Sequence, residues 1–310
     1  MKKDARIFVA GSETLFGKVL VETLRMRGYT QVEGVSAEEP DLTDLLAVER
    51  FFSTFTPEYV FLTGGKSGGI HANQTWPADL MLNNLMVQTH VMDAAFRFGA
   101  SKLLYLASSC SYPRQCPQPM DVTSLLTGPL EPTNEAYAVA KLAGIKLAQA
   151  YNRQYGANFI CGIPANGFGR YDDFITDDAH VIPSLLRKMR EAKMKNAPYV
   201  VLWGSGQAKR EFIDADDVAN ACLFLMANYN DPLPINIGGG DTISIRELAW
   251  MAKEIVGYQG DIQFDARYPD GMPIKQLDAS PIRKLGWKPE AKFKDALKTT
   301  YEWYMKQLHE

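Results

Sequence analysis

Residues Arg6-Ile-Phe-Val-Ala run directly into Gly11-Ser-Glu-Thr-Leu-Phe-Gly17, and this junction narrows the possible folds most. A short apolar run suits a strand buried on both faces of a parallel sheet. Val19, Leu20, Leu24 and Met26 are then spaced as on a helix. Strand, glycine turn and helix together make a cradle for a dinucleotide. Glycine lets the backbone approach a pyrophosphate, and the helix N-terminus attracts its charge. The spacing is Gly-x-x-x-x-x-Gly, with Thr14 where a middle glycine is commoner. A plain strand-turn-helix shares this outline, so the turn alone does not assign a ligand.

The alternation continues down the chain. Val32–Val35 reads as a second strand, and Asp41-Leu-Thr-Asp opens a helix through about Phe55. Tyr59–Thr63 reads as a third strand, followed by the glycine-rich turn Gly64–Ile70 and a long helix over about 78–98. Leu103–Ala107 and Phe159–Ile163 read as fourth and fifth strands. After residue 165 the pattern loosens, with Gly and Pro gathering near 231–242 and 269–273. The expected fold class is α/β: a Rossmann-type doubly wound parallel sheet with a smaller, discontinuous α/β substrate lobe. The expected division is a dinucleotide-binding domain over 1–165, rejoined by a segment at about 212–238, with the lobe formed by 166–211 and 239–310.

The fourth strand delivers Ser108, Ser109 and Cys110 to its C-terminal end, where open parallel sheets bind ligands. Tyr137 follows 29 residues after Ser108, and Lys141 lies four further on in an Ala- and Leu-rich helical stretch opened by Pro132-Thr-Asn. Positions i and i+4 share a helix face. A phenol titrates near 10, and a neighbouring ammonium is expected to lower it toward neutral pH. A phenol, a cation, a hydroxyl and a thiol beside a nicotinamide can reduce a ketone and move a second proton. The spacing also arises by chance on ordinary helices. Cys110 could equally be an inert buried thiol, and His180, in Asp177-Asp-Ala-His-Val-Ile-Pro, a helix cap. Trp203-Gly-Ser-Gly and Arg210-Glu-Phe-Ile could be a turn and a surface ion pair, or an indole and a guanidinium that pack and pair with a nucleotide diphosphate.

Composition removes several classes. Net charge is −3 over 310 residues, so no basic field invites nucleic acid. No apolar run approaches the ~20 residues of a membrane span, and Gly11, Ser12 and Glu13 interrupt any signal-peptide core after the charged start. Four cysteines at 110, 116, 161 and 222 show no metal spacing, so no metal is expected, and the compartment expected is the cytoplasm.

Longer strings carry a resemblance. They include Gly68-Gly-Ile-x-Ala-Asn, Ser108-Ser-Cys-x-Tyr-Pro, Gln118-Pro-Met, Leu130-Glu-Pro-Thr-Asn-Glu, Tyr137-Ala-x-Ala-Lys-x-Ala-Gly-Ile-Lys and Tyr151-Asn-Arg-Gln-Tyr-Gly. They continue through His180-Val-Ile-Pro, Trp203-Gly-Ser-Gly, Arg210-Glu-Phe, Ile245-Arg-Glu-Leu-Ala and Pro269-Asp-Gly-x-Pro. Over nearly its whole length the chain resembles the GDP-L-fucose synthase family, the GDP-4-keto-6-deoxy-D-mannose 3,5-epimerase-4-reductases of the extended short-chain dehydrogenases/reductases. The resemblance implies that Ser108, Tyr137 and Lys141 form a reductase triad, and that Cys110 and His180 exchange protons at C3 and C5. It implies cofactor contacts from Gly11, Thr14, Leu15, Phe16, Gly17, Asp41, Leu42, Tyr137, Lys141, Pro164, Asn166 and His180. It implies GDP-sugar contacts from Ser109, Asn166, Lys188, Trp203, Arg210 and Asp278. It also implies a homodimer paired through two long helices, for which 78–98 and 135–155 are candidates.

Four departures bear on specificity. The family usually carries Arg where this chain has Glu13, and Gly where it has Thr14. It tends to place an arginine just after the second strand, where this chain reads Val35-Ser-Ala-Glu-Glu. A carboxylate repels a 2′-phosphate and accepts hydrogen bonds from a ribose hydroxyl. The cofactor expected is therefore NADP(H), or NAD(H) given Glu13, Glu38, Glu39 and no basic residue in that loop. Ala165-Asn-Gly-Phe-Gly-Arg-Tyr-Asp-Asp replaces the usual Thr-Asn-Leu-Tyr-Gly-Pro, and Arg170 is expected to reshape the pocket. Alternatives are a related GDP-hexose or GDP-heptose epimerase or C4 reductase doing part of this chemistry, or a cofactor-binding regulatory protein on the same fold. A binding protein has no need of Ser108, Cys110, Tyr137, Lys141 and His180 together.

Overall fold

In a computed structural model, residues 1–34, 40–176, 179–268 and 270–308 are described. The acidic stretch Val35–Glu39, with Glu38 and Glu39, and Pro269 lie outside them.

The first half alternates as its apolar runs require: β1 (Arg6–Ala10), α1 (Leu15–Met26), β2 (Gln31–Glu33), α2 (Leu45–Phe55), β3 (Tyr59–Leu62), α3 (Ile70–Thr75), α4 (Pro77–Arg97), β4 (Lys102–Leu106), α5 (Glu135–Tyr155) and β5 (Phe159–Pro164). The second half contains β6 (Asn166–Phe168), α6 (Val181–Met194), β7 (Tyr199–Trp203), β8 (Lys209–Asp214), α7 (Ala215–Asn228), β9 (Ile235–Ile237), β10 (Thr242–Ser244), α8 (Ile245–Val256), β11 (Asp261–Asp265), β12 (Ile274–Lys275), α9 (Ser280–Lys284) and α10 (Phe293–Gln307).

A parallel sheet of order β2-β1-β3-β4-β5-β9 forms the centre. Ile7, Phe8, Val9, Val60, Phe61, Leu103 and Leu104 are fully buried in it, as strands covered by helices on both faces must be. The strand order reverses between β1 and β3, which is where such sheets bind ligands. Two loops meet at that point. Gly11 has φ +91°, and a Cβ there would stand 2.1 Å from the Gly64 Cα. Gly17 is equally constrained, since a Cβ on it would meet the Gly11 carbonyl oxygen at 2.1 Å. Gly17→Ala should therefore push α1 off its loop and cost about 2 kcal/mol, read as a lowered thermal midpoint. An unchanged midpoint would show that this contact yields.

A second layer surrounds β8, which pairs with β10, β12 and β6, while β7 pairs with β11. Its own core contains Phe168, Leu186, Met189, Phe212, Leu248 and Leu297. The chain returns from β8 through α7 to β9 and completes the central sheet. The buried Glu211 carboxylate binds this layer together by accepting from the Gly240 N–H at 3.0 Å and the Leu277 N–H at 2.7 Å.

Helix α2 starts later than the sequence suggested. Asp44, rather than Asp41, caps it, accepting from the Leu46 and Ala47 amides, while Asp41 turns onto Thr43. Among the described residues, no helix is long and apolar enough to cross a membrane.

Candidate active site

A cavity of about 1130 Å³ opens along the C-terminal ends of the central strands and is closed by the second layer. Its size suits two ligands side by side, since one drug-sized ligand occupies a few hundred Å³.

One end is the glycine cradle. Thr14 is the N-cap of α1: its hydroxyl accepts from the Gly17 N–H at 3.1 Å and donates to the Gly11 carbonyl at 2.7 Å. Thr14 thus fixes the turn through its side chain, where a glycine would rely on backbone freedom. Gly11, Thr14, Leu15, Phe16, Asp41 and Leu42 line this end, whereas Gly17 stands behind it as packing. The Phe16 ring lies against Gly167, where a Cβ would meet it at 2.2 Å. Exposed N-terminal amides of α1 and a glycine turn with no room for side chains fit a dinucleotide pyrophosphate. Glu13 also lines the cavity, and Lys18 sits 3.5 Å from its carboxylate. The sequence reading found no basic neighbour within the loop. Lys18 reaches back from the first turns of α1.

The middle holds the ends of β4 and β5 and the start of α5. Ser108, Ser109, Cys110, Tyr137, Lys141, Pro164 and Asn166 line it. The buried Lys141 ammonium donates to the Leu106 carbonyl at 3.3 Å and lies 5.9 Å from the Tyr137 ring centre. Asn166 is tied to the Glu211 carbonyl at 2.8 Å.

The titration of Tyr137 differs from the expectation. Burial raises its phenol well above the usual value, Cys110 adds to this, and the Ser108 hydroxyl opposes it. Burial also pushes Lys141 down to about 8. Desolvation disfavours both charged forms, and at this separation it outweighs the attraction of the ammonium for a phenolate.

Cys110 sits differently. Burial alone raises its thiol, yet Lys275, the Ser108 hydroxyl and Arg210 more than offset this, and the net shift is downward. Asn134 Nδ2 and Lys275 Nζ stand 3.2 Å and 3.4 Å from the sulfur. The sequence reading found neither residue. His180 occupies the N-cap position of α6 without a capping side-chain bond, so its ring remains available to the cavity. Enclosure by the cavity wall lowers its titration, Asp173 opposes this, and Lys275 adds to it. His180 is exposed and lines the cavity. Asp172 was also missed: burial pushes it up to about 7, and its Oδ2 has no hydrogen-bond partner among the described residues.

At the far end, Trp203 stacks flat on Tyr268, with centroids 4.2 Å apart, and the Lys188 ammonium lies 5.7 Å from the indole. Trp203 and Arg210 line the cavity, and Lys188 stands behind the indole. The Arg210 guanidinium donates to the Asp270 and Met272 carbonyls at 2.9 and 2.6 Å, which holds that loop at the cavity wall. Asp278 stands away from the lining, where its carboxylate accepts from the Ser280 N–H at the start of α9. Arg170 likewise faces away, paired with Glu22 and Asp216 at 2.8 Å each. It therefore anchors the loop to α1 and α7 and does not shape the pocket. Among the described residues, no cluster of three or more His, Cys, Asp or Glu is arranged to hold a metal ion.

A glycine cradle at a parallel-sheet switch point, with a serine, tyrosine and lysine on one wall, defines a nucleotide-dependent oxidoreductase of the α/β class. The chain belongs to the NAD dependent epimerase/dehydratase family, whose profile matches residues 7–238. It is 47% identical over 306 residues to GDP-L-fucose synthase 1 of Arabidopsis thaliana, covering 99% of this chain and 95% of that one. Among solved structures it is similar to a GDP-6-OMe-4-keto-L-xylo-heptose reductase from C. jejuni, with 34% identity, a TM-score of 0.94 and 99% of each chain covered. It is also similar to a GDP-L-fucose synthetase from Naegleria fowleri bound to NADP, with 26% identity, a TM-score of 0.90, and 100% and 96% covered.

Proposed function

We propose that this chain is an NAD(P)-dependent epimerase/reductase that converts GDP-4-keto-6-deoxy-D-mannose to GDP-L-fucose. The observation that carries this reading is the single cavity shared by a phenol, a thiol and an imidazole, with a dinucleotide cradle at one end. A 4-keto group makes the protons on C3 and C5 acidic, because the carbanion left behind is an enolate. Inverting either carbon needs a base on one face and an acid on the other. Cys110 and His180 take these roles. A nicotinamide cofactor supplies hydride to C4 when bound. Tyr137 then gives its proton to the C4 alkoxide, and its raised titration suits that direction, because the phenol stays protonated until the alkoxide forms. Ser108 orients the carbonyl. Trp203 and Arg210 hold the nucleotide diphosphate by packing and charge.

The test is turnover of GDP-4-keto-6-deoxy-D-mannose with NADPH in deuterium oxide. Deuterium at both C3 and C5, with one NADPH oxidised per product, is expected. Reduction without deuterium would replace this reading by a C4 reductase. The heptose-reductase likeness and the altered 165–173 loop favour that second reading.

The finer cofactor choice follows from Glu13. Its carboxylate at the cavity edge weakens attraction for a 2′-phosphate, and Lys18 offsets this in part. The ratio of kcat/KM for NADPH over NADH should therefore be modest, and Glu13→Arg should raise it about tenfold. A wild-type ratio already large, and unmoved by the substitution, would exclude Glu13 as the determinant. Pairing of two chains through α4 and α5, whose outer faces expose Leu82 and Val139, is proposed with it and is read by light scattering.

A further inference from the structure

Cys110 belongs to the loop after β4, yet its nearest cation comes from a residue 165 positions later. Lys275 is buried, 9% exposed, and its register on β12 sets it opposite Arg210 on β8. The grip of Glu211 on the Leu277 amide holds that register. The groups facing the thiol are Lys275 and Arg210 from the second layer, Asn134 just before α5, and Ser108 and Tyr137. Among the described residues, those facing His180 are Asp173 from its own loop and, again, Lys275. Arg210 is itself faced by Asp270 and Glu131.

We propose that Lys275 is the positioning residue of the proton-exchanging pair: from across the cavity it holds Cys110 toward thiolate, the form that takes a proton from carbon. This rests on the roles given to Cys110 and His180 above. The proton balance defines what the cation does. Inversion moves one proton from carbon to the base, leaves the C–H electrons in the enolate, and delivers the acid's proton to the opposite face. The pair must therefore hold one proton between its two members. Below both titrations it holds two, and above both it holds none, so epimerisation has a bell-shaped pH profile whose limbs belong to the pair. A cation facing both members favours proton loss from each and moves both limbs to lower pH. Asn134 adds a neutral donor to the sulfur but no charge. Because Lys275 comes from the layer that closes the cavity, the thiol is activated only where that layer docks on the central sheet.

The decisive experiment alkylates Cys110 with iodoacetamide across pH, without substrate, in a Cys116→Ser background with the site identified by mass spectrometry. The expected inflection lies below that of a free thiol, about 8.5. Lys275→Met should raise it and slow alkylation at pH 7 about tenfold, and Lys275→Arg should restore most of the rate. In turnover, Lys275→Met should shift both limbs of the deuterium-uptake profile to higher pH. An ordinary thiol inflection in the wild-type protein would overturn the proposal even if Lys275→Met does not fold, and so would an inflection that Lys275→Met leaves in place. Alkylation needs no keto-sugar. A shifted thiol in a protein that does not turn over GDP-4-keto-6-deoxy-D-mannose would therefore count against the substrate reading alone, and turnover with an unshifted thiol against Lys275 alone.

Discussion

Cys110→Ser should abolish deuterium uptake from solvent into the keto-sugar, with a fall of at least ~10²-fold set by the usual worth of a positioned acid or base. A serine hydroxyl is similar in size and can keep bonds to Asn134 and Ser108, so the fold should survive. It holds its proton far more tightly than a thiol, so Lys275 at 3.4 Å cannot make it a base. Reduction at C4 draws on Tyr137 and the cofactor, and it should continue on any keto-sugar that needs no inversion. The pair of readings is diagnostic: uptake lost with reduction kept separates the proton-exchange site from the hydride site in one cavity. Uptake persisting at the wild-type rate would make Cys110 a structural thiol like Cys161 and Cys222, whose burial alone pushes them up to about 12.

What the sequence revealed and what it hid divide along physical lines. Arg6–Ala10 and Gly11–Gly17 were legible because a buried strand and a glycine turn leave local signatures, and the turn determined where the cavity lies. Ser108 and Cys110 were legible because a strand's C-terminal end is a fixed address in a parallel sheet. Lys275 and Asn134 were not. Each reaches Cys110 through tertiary structure, and in the sequence a lysine four residues beyond Gly271 looks like any surface lysine. Lys18 was hidden for the same reason on a smaller scale, since only the helix turn brings it back to Glu13. The direction of Tyr137 was misread because spacing reports proximity to Lys141 but not burial, and here burial is the larger effect. Arg170 and Asp278 show the converse. The resemblance gave Asp278 a role and a departure from it gave Arg170 one, and in the fold Arg170 pairs with Glu22 and Asp216 while the Asp278 carboxylate accepts from the Ser280 N–H.

Tyr137→Phe should have an effect of similar size on the other half of the reaction. Removing the phenol leaves the C4 alkoxide without its donor, and kcat for reduction should fall by ~10²–10⁴-fold, while deuterium uptake continues. The pH dependence gives a second handle. Folding lowers Lys141 from its ordinary value to about 8, so the ammonium is charged below that pH and lost as pH rises through it. The ammonium faces both the Tyr137 ring and the Gly64 and Leu106 carbonyls beside the cradle. Its loss should weaken capture of an anionic cofactor. The value of kcat/KM for the nicotinamide cofactor, which reports the free protein, should accordingly bend downward through about pH 8. In Lys141→Met the limb should disappear, with a lower plateau throughout. In Tyr137→Phe it should remain, because the titrating group is still present. A limb that vanished with the phenol instead would assign it to Tyr137, and would mean that the cation stabilises a phenolate after all.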